Sequence, residues 1–142
     1  MGVRTRTKIT SLKSGRTIEA NSLANAGFET EEPTMLVPTK VAEQLTFWPR
    51  LPEGAAIKAF ETAGGVTRLY HIPDAVEVQA LTEDKFSEPV KCALVISEIE
   101  QEALLSDVAI GGLKIVIEDA GKGLWKFRGE ERVRESAKPQ YW

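Results

Sequence analysis

Apolar and polar residues alternate along most of the chain, and this period of two is typical of β-strands with one buried face. It predicts short strands separated by turns that are rich in glycine, proline and charged residues. The predicted strands are residues 4–10, 17–23, 35–37, 57–61, 66–72, 75–81, 90–96, 113–118 and 124–127. One segment has helical spacing instead, because Val41, Ala42 and Leu45 fall on one face. Thr39 is the predicted N-cap of this helix.

Many short strands and a single clear helix predict a mostly β protein, either a compact barrel or a sandwich. The 142 residues provide for one domain. We expect this domain to cover residues 1–128. Residues 129–142 are highly charged and end in Pro139-Gln140-Tyr141-Trp142, so we expect an extended C-terminal arm there.

The composition narrows the classes of function. The formal net charge is −3, so non-specific binding of nucleic acid is not expected. Cys92 is the only cysteine, which excludes an internal disulfide and every zinc site built from several cysteines, and fits a reducing compartment. No segment resembles a secretory signal or is long and apolar enough to span a bilayer. We expect a cytoplasmic protein with no cofactor, no nucleic-acid partner and no membrane association.

Five local motifs follow one another in a distinctive order. They are Asn25-Ala26-Gly27 after a predicted strand, Met35-Leu36-Val37-Pro38 before the helix, the helix itself, the hairpin tip Thr62-Ala63-Gly64-Gly65, and Leu104-Leu105-Ser106 followed by Ile110-Gly111-Gly112-Leu113-Lys114-Ile115. This succession covers residues 3–127. It resembles that of the retropepsin-like aspartic peptidases, particularly their small prokaryotic single-domain members.

The resemblance implies a closed retropepsin-like acid-protease β-barrel with one or two short helices. It also implies a homodimer in which each chain contributes one residue to a shared catalytic site. Asn25-Ala26-Gly27 stands where the family has Asp-Thr/Ser-Gly, so Asn25 occupies the position of the catalytic aspartate. The hairpin tip Thr62-Ala63-Gly64-Gly65 resembles the flap that folds over the substrate. Glu29 lies where the family often has an acidic residue that binds the substrate backbone.

An asparagine at this position removes the acid–base chemistry that the family uses. Two close carboxylates share a proton, so that one activates water while the other donates to the substrate carbonyl. The Asn25 amide does not titrate and presents an NH2 donor where a base is needed. Ala26 lacks the hydroxyl found in the family, whereas Gly27 is retained. We therefore expect a protein without standard peptidase activity that binds extended peptide or protein segments in a flap-covered cleft.

Two alternatives remain open. One is an active aspartic endopeptidase that uses deamidated Asn25 or an unusual acid. The other is a β-barrel interaction module unrelated to proteolysis, in which Asn25 and Gly27 form an ordinary turn. A further departure from the family is Ser106, which replaces a glycine and puts close packing there in doubt.

The remaining residues of chemical interest have simpler interpretations. His71, the only histidine, is expected to be structural or at the surface. Cys92 lies in an apolar strand and is expected to act as a small buried residue. The alternating cations of residues 4, 6 and 8 predict the charged face of an edge strand. Gly121-Lys122-Gly123 lacks the other positions of a phosphate-binding loop and is expected to be a hairpin turn.

Overall fold

Strands make up most of the structure, a computed structural model that describes residues 1–62 and 64–142. The described residues form ten strands and two short helices. In chain order these are β1 (Arg4–Ser11), β2 (Thr17–Ala24), β3 (Thr34–Pro38), α1 (Thr39–Gln44), β4 (Ala56–Thr62), β5 (Gly65–Leu81), β6 (Val90–Ser97), β7 (Ala103–Leu105), α2 (Asp107–Gly112), β8 (Ile115–Asp119), β9 (Leu124–Phe127) and β10 (Arg134–Glu135).

Six of these strands close into a barrel. Their order is β1-β2-β7-β3-β6-β5, and β5 pairs back with β1. The β2–β7 and β3–β6 pairs are parallel, and the other pairs of the barrel are antiparallel. β4 adds to β5 outside the barrel, while β8, β9 and β10 form a second small sheet that packs on the same core. The prediction of a mostly β, closed barrel with one or two short helices is confirmed.

β1 closes the barrel, and the prediction that it is an edge strand is wrong. It pairs with β2 on one side and with β5 on the other. Alternate residues of β1 are buried, which turns the cations of the strand outward. There Arg6 lies 2.7 Å from Glu19 on the neighbouring strand, and Arg4 lies 2.6 Å from Glu102.

β5 is one long strand where the sequence pattern predicts two. The hydrogen-bonding register with β6 shifts between Ile72 and Val76. Within this step, Asp74 has a φ of 45° and Pro73 lacks a backbone donor, so the strand continues through an irregularity. The part before the irregularity pairs with β4 and forms a hairpin beyond the barrel, and the part after it pairs with β1 and closes the barrel.

The first helix begins one residue earlier than its predicted N-cap implies. Pro38 is the N-cap of α1 and makes no side-chain capping bond, so the prediction that Thr39 caps the helix is wrong. Pro38 fits this place because its ring fixes φ, here −63°, at a value that suits both the extended N-cap and the start of a helix. Val41 and Ala42 are buried, as their spacing predicts.

The chain after residue 128 folds back over the barrel. The Ser136 N–H donates to the Gly123 carbonyl at 2.7 Å, and the Ala137 N–H donates to the Arg4 carbonyl at 2.7 Å. At the end of the chain, the Trp142 N–H donates to the Gln101 carbonyl at 2.8 Å, and its ring packs against the core. The arm thus contacts its own barrel along most of its length.

Candidate functional site

The Asn25-Ala26-Gly27 segment forms a tight turn at the end of β2. The Asn25 N–H donates to the Leu105 carbonyl at 3.1 Å, which ties the turn to β7. The Asn25 side chain accepts from the Gly27 N–H through Oδ1 at 3.1 Å, and the Phe28 N–H donates to the Asn25 carbonyl at 3.0 Å. An Asn side chain that bonds the backbone two residues ahead is a common way of fixing a turn.

The surface position of this turn leaves its polar groups accessible. Asn25 is half-buried, whereas Ala26 and Gly27 are exposed. The Oδ1 of Asn25 is engaged with Gly27, and no described residue hydrogen-bonds its Nδ2. A carboxylate would accept the same bond from Gly27, so Asn25→Asp changes the chemistry of the turn and preserves its geometry.

The two apolar motifs of the sequence meet because β7 lies between β2 and β3. Leu104 pairs with Leu23 of β2 on one side and with Leu36 of β3 on the other. β2 and β3 are consecutive in the chain, so the loop that joins them passes around the end of β7. The Asn25 turn begins that loop.

Ser106 holds this arrangement together, a role that we did not predict from the sequence. Its Oγ accepts from the Thr34 N–H at 3.1 Å and from the Ala109 N–H at 3.2 Å. Its own N–H donates to the Thr34 carbonyl at 3.0 Å. The hydroxyl therefore caps α2 and bonds the start of β3 at once, and the residue is fully buried. A serine after Leu104-Leu105 and before an acidic residue is itself an N-cap signal.

A small apolar cluster lies on the outer face of the barrel next to the turn. It consists of Leu36, Leu69, Val95 and Leu104, with Leu23, Phe28 and Phe60 packed against it. Phe28 follows the Asn25 turn and Phe60 belongs to β4. Their rings make an edge-to-face contact with centroids 6.1 Å apart. The β4–β5 hairpin is thus held against the loop that carries Asn25.

A cavity of about 980 Å³ opens between this loop and β4. It is lined by Gly27, Phe28, Glu29, Thr30, Glu31, Glu32, Thr34, Lys58, Ala59, Phe60, Glu61 and His71. Of the residues predicted from the sequence, it brings Gly27 and Glu29 together with the hairpin. Asn25 and Ala26 do not line the cavity but directly precede Gly27, its first lining residue in the sequence.

The strands on either side of the predicted Gly64-Gly65 turn pair as an antiparallel hairpin, although Gly65 itself belongs to β5. Thr62 and Gly65 are strand partners, and Gly65 has a φ of 116°, which favours glycine. Gly64 is exposed in the turn. Gly64 and Gly65 do not line the cavity, and Ala63 lies outside the described residues.

His71 and Glu32 connect the hairpin to the loop at the inner side of the cavity. His71 is only 6% exposed, and its Nε2 lies 3.3 Å from Glu32 Oε1. Burial lowers the pKa of His71, and the positive charge of Lys58 lowers this pKa further. The imidazole is therefore neutral near pH 7. The structural role expected for His71 agrees with this burial, but its position in the cavity wall was not foreseen.

The described part of the chain contains neither a cluster of metal-binding side chains nor a helix able to span a membrane. Its His, Cys, Asp and Glu side chains form no group of three or more that could hold a metal ion. Its helices are too short and too polar to cross a membrane. Cys92 is buried as predicted, and burial raises the pKa of its thiol to about 12.

No protein-family model matches the chain, and no curated protein matches it.

Proposed function

We propose that this protein is an aspartic-peptidase-like homodimer that lacks standard peptidase activity and binds extended peptide or protein segments. The observation that carries the proposal is the position of the Asn25 turn, beside a cavity of about 980 Å³ against which the β4–β5 hairpin packs. In the retropepsin-like resemblance, this hairpin takes the place of the flap and the cavity is part of the substrate cleft.

The chemistry of Asn25 supports a binding role over a catalytic one. Two facing amides cannot share a proton or remove one from water. The Asn25 Oδ1 is also engaged with the Gly27 N–H, which leaves the Nδ2 donor as the available group. A donor at this position suits a carbonyl of a bound segment.

The free edge of β4 supports an extended occupant. β4 pairs with β5 only, and no other described strand pairs with it. The cavity runs along residues 58–61 of β4. A segment in extended conformation can add backbone hydrogen bonds to such an edge, while its side chains occupy the cavity.

The first test restores the missing groups of the family motif. We expect the double variant Asn25→Asp, Ala26→Thr to cleave a peptide library at acid pH, and a statine-like inhibitor to block this cleavage. General acid–base groups typically contribute about 10²–10⁴-fold to rate, so cleavage should exceed that of the matched Ala26→Thr control by at least roughly 10²-fold. The wild-type chain is expected not to cleave.

Each alternative has its own signature in this experiment. If the freshly purified wild-type chain already cleaves the library, the protein is an active endopeptidase. If neither variant cleaves, and the wild-type chain sediments as a monomer that binds no peptide, the protein is a β-barrel interaction module unrelated to proteolysis.

A further inference from the structure

The net charge of the chain is concentrated in the cavity. Four carboxylates line it, from Glu29, Glu31, Glu32 and Glu61, against the single ammonium group of Lys58. Because His71 is neutral near pH 7, these residues carry a formal charge of −3. The whole chain has 18 basic and 21 acidic residues, so 17 of each remain elsewhere and balance. The cavity therefore accounts for the entire excess of negative charge.

Three of these carboxylates have no cationic partner among the described residues. Glu29, Glu31 and Glu61 belong to none of the ion pairs in that part of the chain, and the carboxylate of Glu32 is within ion-pair distance of the neutral His71 alone. Carboxylates that line one concave surface make the local electrostatic potential more negative and attract a cation.

The apolar side of the same cavity also restricts which side chains of a bound segment fit. Phe28 and Phe60 line it and are half-buried, so part of each ring is open to an occupant. A Lys or Arg side chain can lay its methylene groups on such rings while its charged end reaches toward the carboxylates of the same cavity. Arginine has the additional advantage of a planar fork that binds carboxylates through two hydrogen bonds.

From this charge complementarity we infer that the cavity binds extended segments carrying an arginine or lysine side chain beside an apolar one. The inference rests on the proposed peptide-binding function and names the class of segment that it selects. A single exposed ion pair contributes little, so the selectivity depends on several carboxylates acting together. Attraction between partly exposed charges is screened by salt, so the preference weakens as ionic strength rises.

The test uses fluorescein-labelled octapeptide libraries that are random except for one fixed central residue: arginine, citrulline or glutamate. Citrulline keeps the shape of arginine without its charge. We expect the wild-type chain to bind the arginine library at least about tenfold more tightly than the citrulline library in low salt, by fluorescence anisotropy. The difference should shrink at high salt, and the glutamate library should bind most weakly.

Matched variants test whether the preference for arginine over citrulline arises in the cavity. Glu29→Gln combined with Glu61→Gln should reduce the preference for arginine over citrulline to less than about threefold. Glu88→Gln, an exposed glutamate outside the cavity, should leave it unchanged. Equal binding of the arginine and citrulline libraries, or a preference that survives the double variant, overturns the inference and leaves peptide binding intact. Failure of every library to bind overturns the proposed function itself.

Discussion

At the scale of single residues, His71 links pH to stability. Burial keeps its pKa below the ordinary value of 6.5 in the folded chain. As the pH falls below 6.5, the unfolded chain takes up a proton more readily than the folded one, so the free energy of unfolding decreases. Lys58 adds to this effect, and Glu32 opposes it.

We therefore expect His71→Gln to flatten the pH dependence of stability just below pH 6.5. Glutamine keeps a hydrogen-bond donor near Glu32 but does not titrate in this range. Urea midpoints measured between pH 8 and pH 5 would show a shallower decline for the variant than for the wild type. Identical slopes would mean that His71 titrates normally in the folded chain.

The motif around Asn25 could be read from the sequence, because its residues are consecutive. The bonds that hold the motif in place could not. Ser106 and Thr34 bond to each other although they are 72 positions apart in the sequence. His71 of β5 likewise contacts Glu32 of the loop that carries Asn25. Such pairs depend on the strand order, which a local pattern does not contain.

At the scale of elements, Arg134 fixes the small sheet to the barrel. Its side chain is only 8% exposed and donates to both carboxylate oxygens of Asp84, at 2.6 and 3.2 Å. The guanidinium also lies 5.3 Å from the ring centroid of Phe127. The pair of Arg134 and Asp84 joins β10 to the loop that follows β5.

Arg134→Met should lower the melting temperature by roughly 3–10 °C. The change removes a buried cation that makes two hydrogen bonds to Asp84, and it also removes the contact of that cation with the Phe127 ring. Arg132→Met is the matched control. Arg132 lies 3.3 Å from the same Asp84, but its side chain is 55% exposed, so little change is expected. Differential scanning calorimetry separates the two, and equal shifts would show that the pairing of Arg134 is no more than a surface ion pair.

Strands with a strong alternation were predictable, and short or interrupted ones were not. The β4–β5 hairpin follows from its alternation and from Gly64-Gly65. β7 has three residues within a mixed, acidic segment, and it forms a strand because β2 and β3 provide partners on both sides. The continuity of β5 could not be predicted, because Pro73 and Asp74 break the alternation and favour turns.

At the scale of the whole molecule, barrel closure depends on contacts between distant parts of the chain. β1 meets β5 about seventy residues later, and no local signal encodes that pairing. The sequence indicated many strands and a single core, and the family resemblance supplied the expectation of a closed barrel. The structure of one chain shows this barrel with the Asn25 turn at its surface.

The account depends on two Asn25 turns facing each other in a dimer, and a disulfide cross-link at Ala26 tests this most directly. Ala26→Cys places a thiol on the exposed turn, and Lys122→Cys places one on the exposed β8–β9 turn as a control. Cys92 can remain, because it is buried and burial raises the pKa of its thiol to about 12. Under mild oxidation we expect Ala26→Cys to form a covalent dimer at protein concentrations where Lys122→Cys does not. If Ala26→Cys cross-links no more than the control and the chain sediments as a monomer, the shared site does not exist.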